Sequence, residues 1–273
     1  EVKKFLEKRS IENSKKHQQP ATLNVKSNLD KLTLNDMQVF RFNFRHEKNQ
    51  KILYLHGGYN TLQPSPFHWR LLDKLTLNTL HEVVLPIYPK SPDYHYLETF
   101  KAIRDVYNQL VEEVGADNIV MMGDGSGGGL ALSFVQSLIN DNQEVPRKLF
   151  LLSPLLDATL TNPNITQTLE ENDILVSRFG VHQLMKSWAN DLPLSDARIS
   201  PLYGTLKGLP PIYMYGGGRE ILSPDMHAFT HALEECGNDV EFKEYPKMVH
   251  DFPFYPIRQS HKVLKHITKS ILE

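Results

Sequence analysis

The sequence predicts an α/β fold, a mostly parallel central sheet flanked by helices, and three observations carry that prediction. Ten of the 15 glycines fall in three tight clusters, at 57–58, 123–129 and 216–218. Each cluster directly follows a short apolar run, at 52–55, 119–122 and 212–215, typical of strands buried on both faces. Segments with apolar residues at helical spacing separate these runs, as crossovers between parallel strands require. In such a sheet the loops at the carboxyl ends of the strands form the working face. Glycine is needed there where the backbone turns sharply or closely approaches a ligand.

The elements follow in chain order. Residues 37–44, from Met37 to Phe44, alternate as an antiparallel edge strand ahead of the first parallel one. Residues 97–114 place Phe100, Ile103, Val106, Tyr107, Leu110, Val111 and Val114 on one helical face, and Gly115 is the stop. Leu130 to Leu138 continues the second glycine cluster as a helix, and 148–152 reads as the next strand. A helix over 225–236 ends at Gly237, Val240 and Phe242 alternate with charged residues as a strand, and Val263, Leu264, Ile267 and Ile271 stripe a last helix. The segment from about 157 to 208 is polar, proline-containing and helical only in patches. It reads as an insertion over the strand ends, joined by residues 1–30 as a cap or lid. There are no repeats and no low-complexity linker, so 1–273 reads as one domain.

Composition narrows the function classes. Lys and Arg number 30 against 32 Asp and Glu, a net charge of -2, which offers no electrostatic footprint for nucleic acid or an anionic membrane. Cys236 is the only cysteine, so neither an intramolecular disulfide nor a cysteine zinc cluster can form, and its helical setting reads as an inert thiol. No apolar run approaches the roughly 18 residues of a membrane span. The charged start, Glu1-Val2-Lys3-Lys4, is unlike a secretory signal, and the expectation is a cytoplasmic protein. No metal or cofactor is expected.

The second cluster, Gly123-Asp124-Gly125-Ser126-Gly127-Gly128, fits two incompatible motifs. Gly123, Gly125 and Gly128 match the dinucleotide fingerprint G-x-G-x-x-G. Gly123 and Gly127 match the flanks of a nucleophile elbow, G-x-S-x-G, with glycine where serine is expected. Asp124 would put a carboxylate inside a pyrophosphate cradle, and Asp141 and Glu144 precede the next strand where a ribose-binding acid should follow it. The elbow is the better reading. His56-Gly57-Gly58-Tyr59 then supplies backbone N–H donors for an oxyanion. Glu220 follows the third cluster, His250 follows the last strand, and the order nucleophile position, acid, histidine is that of an α/β-hydrolase. Ser126 as a displaced nucleophile breaks the flanking-glycine rule, and the aromatic run at 252–255 reads as loop packing.

The chain resembles the α/β-hydrolase esterases of the hormone-sensitive-lipase type, marked by H-G-G and G-D-S-x-G-G. Here these stand as His56-Gly57-Gly58 and Gly123-Asp124-Gly125-Ser126-Gly127-Gly128. Supporting matches run through Gln63-Pro64, His68-Trp69, Tyr88-Pro89 with Pro92, Ser200-Pro201-Leu202-Tyr203-Gly204, Leu209-Pro210-Pro211 and Gly218 to Asp225, covering most of the chain from about residue 50. The resemblance implies an α/β-hydrolase fold with a helical cap and a small-molecule ester substrate. It implies that Glu220 orients His250, with Asp225 as the rival acid, and that His250 is general base and then general acid. It implies an oxyanion hole from the N–H groups of Gly57, Gly58 and Ser126, with His56 bracing the loop.

Gly125 is the departure. Glycine adopts the strained elbow conformation more easily than serine, so the fold should survive and gain up to about 1 kcal/mol. Losing a triad serine removes on the order of 10⁶ in rate. Two readings fit: a Ser→Gly substitution that traps substrate or product, and a natural pseudo-esterase that binds ester-like ligands without turnover. Short acyl esters are the expected ligands, because a cap limits the pocket and nothing suggests a lipid-interface helix. An edge strand offers a contact for a homodimer.

Overall fold

The computed structural model describes residues 1–43 and 50–273. In chain order the elements are α1 (Val2–Ser14), β1 (Asn28–Leu34), β2 (Met37–Asn43), β3 (Lys51–Leu55), α2 (Pro66–Thr79), β4 (Glu82–Pro86), α3 (Tyr96–Val114), β5 (Ile119–Asp124), α4 (Gly125–Asn140), β6 (Lys148–Leu152), α5 (Gln167–Asn172), α6 (Arg178–Ala189), β7 (Ile212–Gly217), α7 (Ser223–Glu235), β8 (Val240–Tyr245) and α8 (Arg258–Leu272). Among the described residues the strands form one eight-stranded sheet in the order β1-β2-β4-β3-β5-β6-β7-β8. The β1–β2 and β2–β4 pairs are antiparallel and every other pair is parallel.

Every residue of β3 and β5 is buried, which explains their unbroken apolar runs. Alternate residues go to opposite layers. Leu53, Leu55, Met121, Leu149, Leu151 and Met214 pack with α3, α4, α6 and α7, while Ile52, Tyr54, Val120, Met122, Phe150, Leu152 and Tyr215 pack with α2 and α8. Gly115 ends α3 at φ 80°, in the region that favours glycine.

Two sequence expectations are corrected. β2 is not the sheet edge, because β1 pairs along its outer side from Asn28↔Asn43 to Leu34↔Met37. The hairpin turns through Asn35 and Asp36, both at positive φ, the combination that matches strand twist. The predicted end of β2, Phe44, lies outside the described residues. Helix α4 begins at Gly125, not Leu130, so the glycine cluster itself is helical.

Of the two segments read as a cap, 157–208 contains α5 and α6, and Val181, Met185, Trp188 and Ala189 of α6 share the core layer of α3 and α4. In 1–30, α1 has no buried residue. Asn13, at its end, donates to the carbonyls of Thr61 and Ser91.

Contact between α4 and β3 depends on Gly127, where a Cβ would stand 2.2 Å from the Leu55 carbonyl oxygen. Backbone cannot yield as a flexible side chain can. Gly127→Ala is expected to cost about 1–3 kcal/mol, read as a lower urea midpoint at unchanged slope. An unaltered midpoint would mean that this approach is not needed.

Candidate active site

β5 runs directly into α4, with Asp124 the last strand residue and Gly125 the first helical one. So sharp a turn puts Gly125 at φ +53°, a left-handed conformation that glycine adopts without a Cβ penalty. A Cβ built there would lie 3.4 Å from His250 Nε2 and 3.7 Å from Asp251 Oδ2, its nearest neighbours. Position 125 therefore aims at the imidazole.

His250 reaches this point from the loop after β8. Its Nδ1 lies 3.2 Å from Glu220 Oε2, at ion-pair distance but off the line of a good hydrogen bond. On the other side of the ring, Nε2 lies 3.1 Å from Asp251 Oδ2. Glu220 is fully buried and the His250 ring only 15% exposed. Burial pushes the Glu220 carboxyl up, against the pull of His250, and the net direction is upward. Burial alone would depress His250, but Asp251 and Glu220 together hold it well above the ordinary imidazole range. Burial also pushes Asp251 up to about 7. The rival acid Asp225 accepts from Asn162 and makes no contact with His250 among the described residues.

Asp124 anchors the other half of the site. Its carboxylate accepts from Tyr54 Oη at 2.7 Å and from Gly57 N–H at 3.0 Å, and it faces His68 Nε2 at 3.0 Å. Burial opposes its charge, but His68, Tyr54 and Gly57 outweigh that and hold it below the usual carboxylate range. Burial likewise opposes charge on His68, and Asp124 reverses the balance and raises it. His56 is buried, stacks on Tyr88 with centroids 4.6 Å apart, and pairs through Nδ1 with the Gly57 carbonyl. Burial pushes its pKa far down, so it braces the loop as a neutral ring.

The bond from Gly57 N–H to Asp124 corrects one sequence assignment. That donor is engaged inside the loop and cannot also face a ligand oxygen. Among the described residues no acceptor meets the N–H groups of Gly58, Tyr59 or Ser126. The Ser126 hydroxyl accepts from Asn60 N–H at 3.2 Å, which ties loop to elbow. A cavity of about 270 Å³ joins these groups, and Leu155, Leu175, Val176, Val181 and Leu222 give it an apolar wall. The 157–208 segment contributes three of those five residues, and residues 1–30 contribute none to the lining. A wider trough of about 830 Å³ elsewhere contains neither position 125 nor His250.

Two residues escaped the sequence reading of the site. His68 stands out there only as half of a short match, and its pairing with Asp124 joins residues 56 apart. Asp251 is next to His250 in the chain, but its own left-handed backbone, φ 53°, folds the carboxylate back onto the ring.

The Asp124–His68 pair carries a pH signature. Asp124, depressed when folded, contributes stability that is present above its unfolded value near 3.8 and lost as pH falls through the lowered one. His68, raised when folded, contributes stability present below about 6.5 and lost as pH climbs through its raised value. Asp124→Asn should flatten both limbs of the urea midpoint against pH and lower the plateau by about 3–5 kcal/mol. An unchanged pH profile would disprove the pairing.

Comparison with known proteins bears on the fold and the family. The profile of the alpha/beta hydrolase fold family matches residues 52–254. An esterase from Acinetobacter venetianus is 33% identical over 208 residues, 76% of this chain and 68% of its own length. A triacylglycerol lipase from Mycobacterium tuberculosis is 29% identical over 221 residues, 81% of this chain but 46% of that protein, so the chain spans about half its length. A crystal structure of a provisionally assigned esterase from Staphylococcus aureus superposes with a TM-score of 0.98 at 64% identity, covering 100% of this chain and 92% of that one. An esterase from the bacterial hormone-sensitive lipase family shares the fold, with a TM-score of 0.86 at 20% identity over 99% of this chain and 97% of that one. The protein thus belongs to the alpha/beta hydrolase fold family.

Proposed function

We propose that the pocket is a carboxylesterase site of the serine-hydrolase type from which only the nucleophile is missing. The observation that carries this reading is the aim of position 125, whose Cβ vector ends 3.4 Å from His250 Nε2. With serine there, the hydroxyl oxygen attacks the acyl carbon and its proton passes to Nε2. Glu220, at Nδ1, fixes the ring orientation and balances the imidazolium. Negative charge on the carbonyl oxygen falls to the free N–H groups of Gly58 and Ser126, with Tyr59 in place of Gly57 as the third donor. His250 then protonates the departing alcohol, and a water, deprotonated by the same nitrogen, releases the acid.

With Gly125 no acyl-enzyme can form. The chain then binds ester-like ligands and turns them over on the order of 10⁶ more slowly, by oxyanion stabilisation and binding alone. The apolar wall and small volume favour short acyl chains, and 157–208 serves as the cap that limits them. A pseudo-esterase uses the same pocket in the same way, so ligand binding without turnover is common to both readings of Gly125. Among the described residues no helix is long and apolar enough to cross a membrane.

Gly125→Ser should hydrolyse p-nitrophenyl acetate and butyrate, and His250→Ala in that background should abolish the gain, while the glycine form stays near the buffer rate. Hydrolysis by the glycine form that Ser126→Ala removes would place the nucleophile at 126 instead. In the serine form the rate across p-nitrophenyl esters should peak at ten carbons or fewer, and a maximum at longer chains would refute the short-acyl assignment.

A further inference from the structure

The imidazole of His250 is bracketed by carboxylates on both ring nitrogens, and only one of them belongs to the proposed triad. Asp251 Oδ2 stands 3.1 Å from Nε2 and 3.7 Å from where a Cβ at 125 would be. A serine hydroxyl one bond out from that carbon would therefore meet both Nε2 and Asp251 Oδ2. We propose that Asp251 is a positioning residue that occupies the nucleophile's side of His250 and holds a proton on Nε2. Its competition with a hydroxyl at 125 rests on the reading of that position given above.

The geometry leaves Asp251 little choice. Its backbone N–H donates to Ser153 Oγ at 3.1 Å, which fixes the left-handed turn. Its Oδ1 is buried without a hydrogen-bond partner, so the carboxylate has no stronger attachment to draw it off the ring. Other charged or titratable groups face this pair from every side. Glu220 lies at Nδ1. Asp124 bears on Asp251 from the end of β5, and His68 feels Asp251 from α2. Tyr59 faces His250 from the glycine loop, and Asp173, in the cap segment, bears on Glu220 and Tyr59. Of these, Glu220 and Asp251 alone come within ion-pair distance of the ring. A carboxylate at that distance favours the protonated imidazole by about 1–3 pH units. General-base chemistry needs the opposite, a free lone pair on Nε2. Asp251 thus restrains the histidine above about pH 7, once its own carboxyl is ionised, and releases it as pH rises further.

Asparagine and glycine both tolerate a left-handed backbone, so Asp251→Asn and Asp251→Gly keep the turn while removing the charge. The first readout is the NMR titration of the His250 ring in the chain as it stands. Both variants should lower its proton affinity at least about tenfold, and an unchanged midpoint in either folded variant overturns the proposal. The second readout is the pH profile of kcat/KM for p-nitrophenyl acetate in the Gly125→Ser background. Adding Asp251→Asn should move the rising limb to lower pH and raise activity at pH 7–8, where Asp251 is ionised, about tenfold. A profile that does not move overturns the competition. If Gly125→Ser is silent at every pH while the titration shift is intact, Asp251's hold on His250 is supported and the failure belongs to the nucleophile assignment.

Discussion

The buried carboxylate of Asp124 is the constraint on which the site depends. It gathers Tyr54 from β3, the Gly57 N–H from the following loop and His68 from α2 onto one point at the end of β5. An unpaired charge at that depth would cost several kcal/mol, so each of these partners is held as firmly as the carboxylate itself. The glycine loop is thereby fixed relative to the elbow, and Ser126 Oγ on Asn60 N–H adds a second tie. The backbone of the glycine loop is thus held in place by a buried side chain that binds it from within.

The same constraint explains why the loop must begin with glycine. A Cβ at Gly57 would stand 2.4 Å from Asp124 Oδ2, so the carboxylate reaches the Gly57 N–H only because that residue lacks a side chain. Engaging this donor shifts the free N–H groups one residue along, to Gly58 and Tyr59. The loop of His250 is fixed by a comparable device on the far side of the pocket. Gly217 lets β7 approach the loop that carries His250, since a Cβ there would be 2.3 Å from the Met248 carbonyl oxygen.

Much of this was legible in the sequence, and the remainder was hidden for physical reasons. Strands buried on both faces are uniform apolar runs, and glycine clusters at their ends mark the working face, so β3, β5, β7 and the chain order 125, 220, 250 stood out. β1 did not, because it is mostly exposed, with no apolar stripe, and exists through its ladder with β2. β4 is only five residues long, and no glycine cluster follows it. α2 opens at Ser65-Pro66, a start signal, but it buries Asp73, Thr76 and Thr79 beside its leucines, which blurs the periodicity. Asp73 is there to accept from Lys26 and Ser27, a contact across 46 residues that no local pattern announces. Which N–H a loop leaves free, and which way Asp251 turns, are matters of ångströms and backbone angle, below the resolution of residue types and spacing.

Gly125 differs from the glycines around it in a way that bears on what the position is for. A Cβ would come within 2.5 Å of backbone at Gly123, 2.2 Å at Gly127 and 2.1 Å at Gly129, and within 3.1 Å of Pro154 at Gly128. Gly123, Gly127 and Gly129 have no room for a side chain in the packing of α4 against β3 and the 154–155 segment, and at Gly128 Pro154 would have to give way. At Gly125 the nearest atom is 3.4 Å away, and it is the ring nitrogen of His250, not backbone. Sterically, then, the turn accommodates a side chain at position 125 and directs it at the His250 imidazole. Only the left-handed φ argues for glycine, and strain of about 1–3 kcal/mol is what functional sites commonly carry when the surrounding structure enforces the geometry. Glycine at 125 relieves strain without being required by packing.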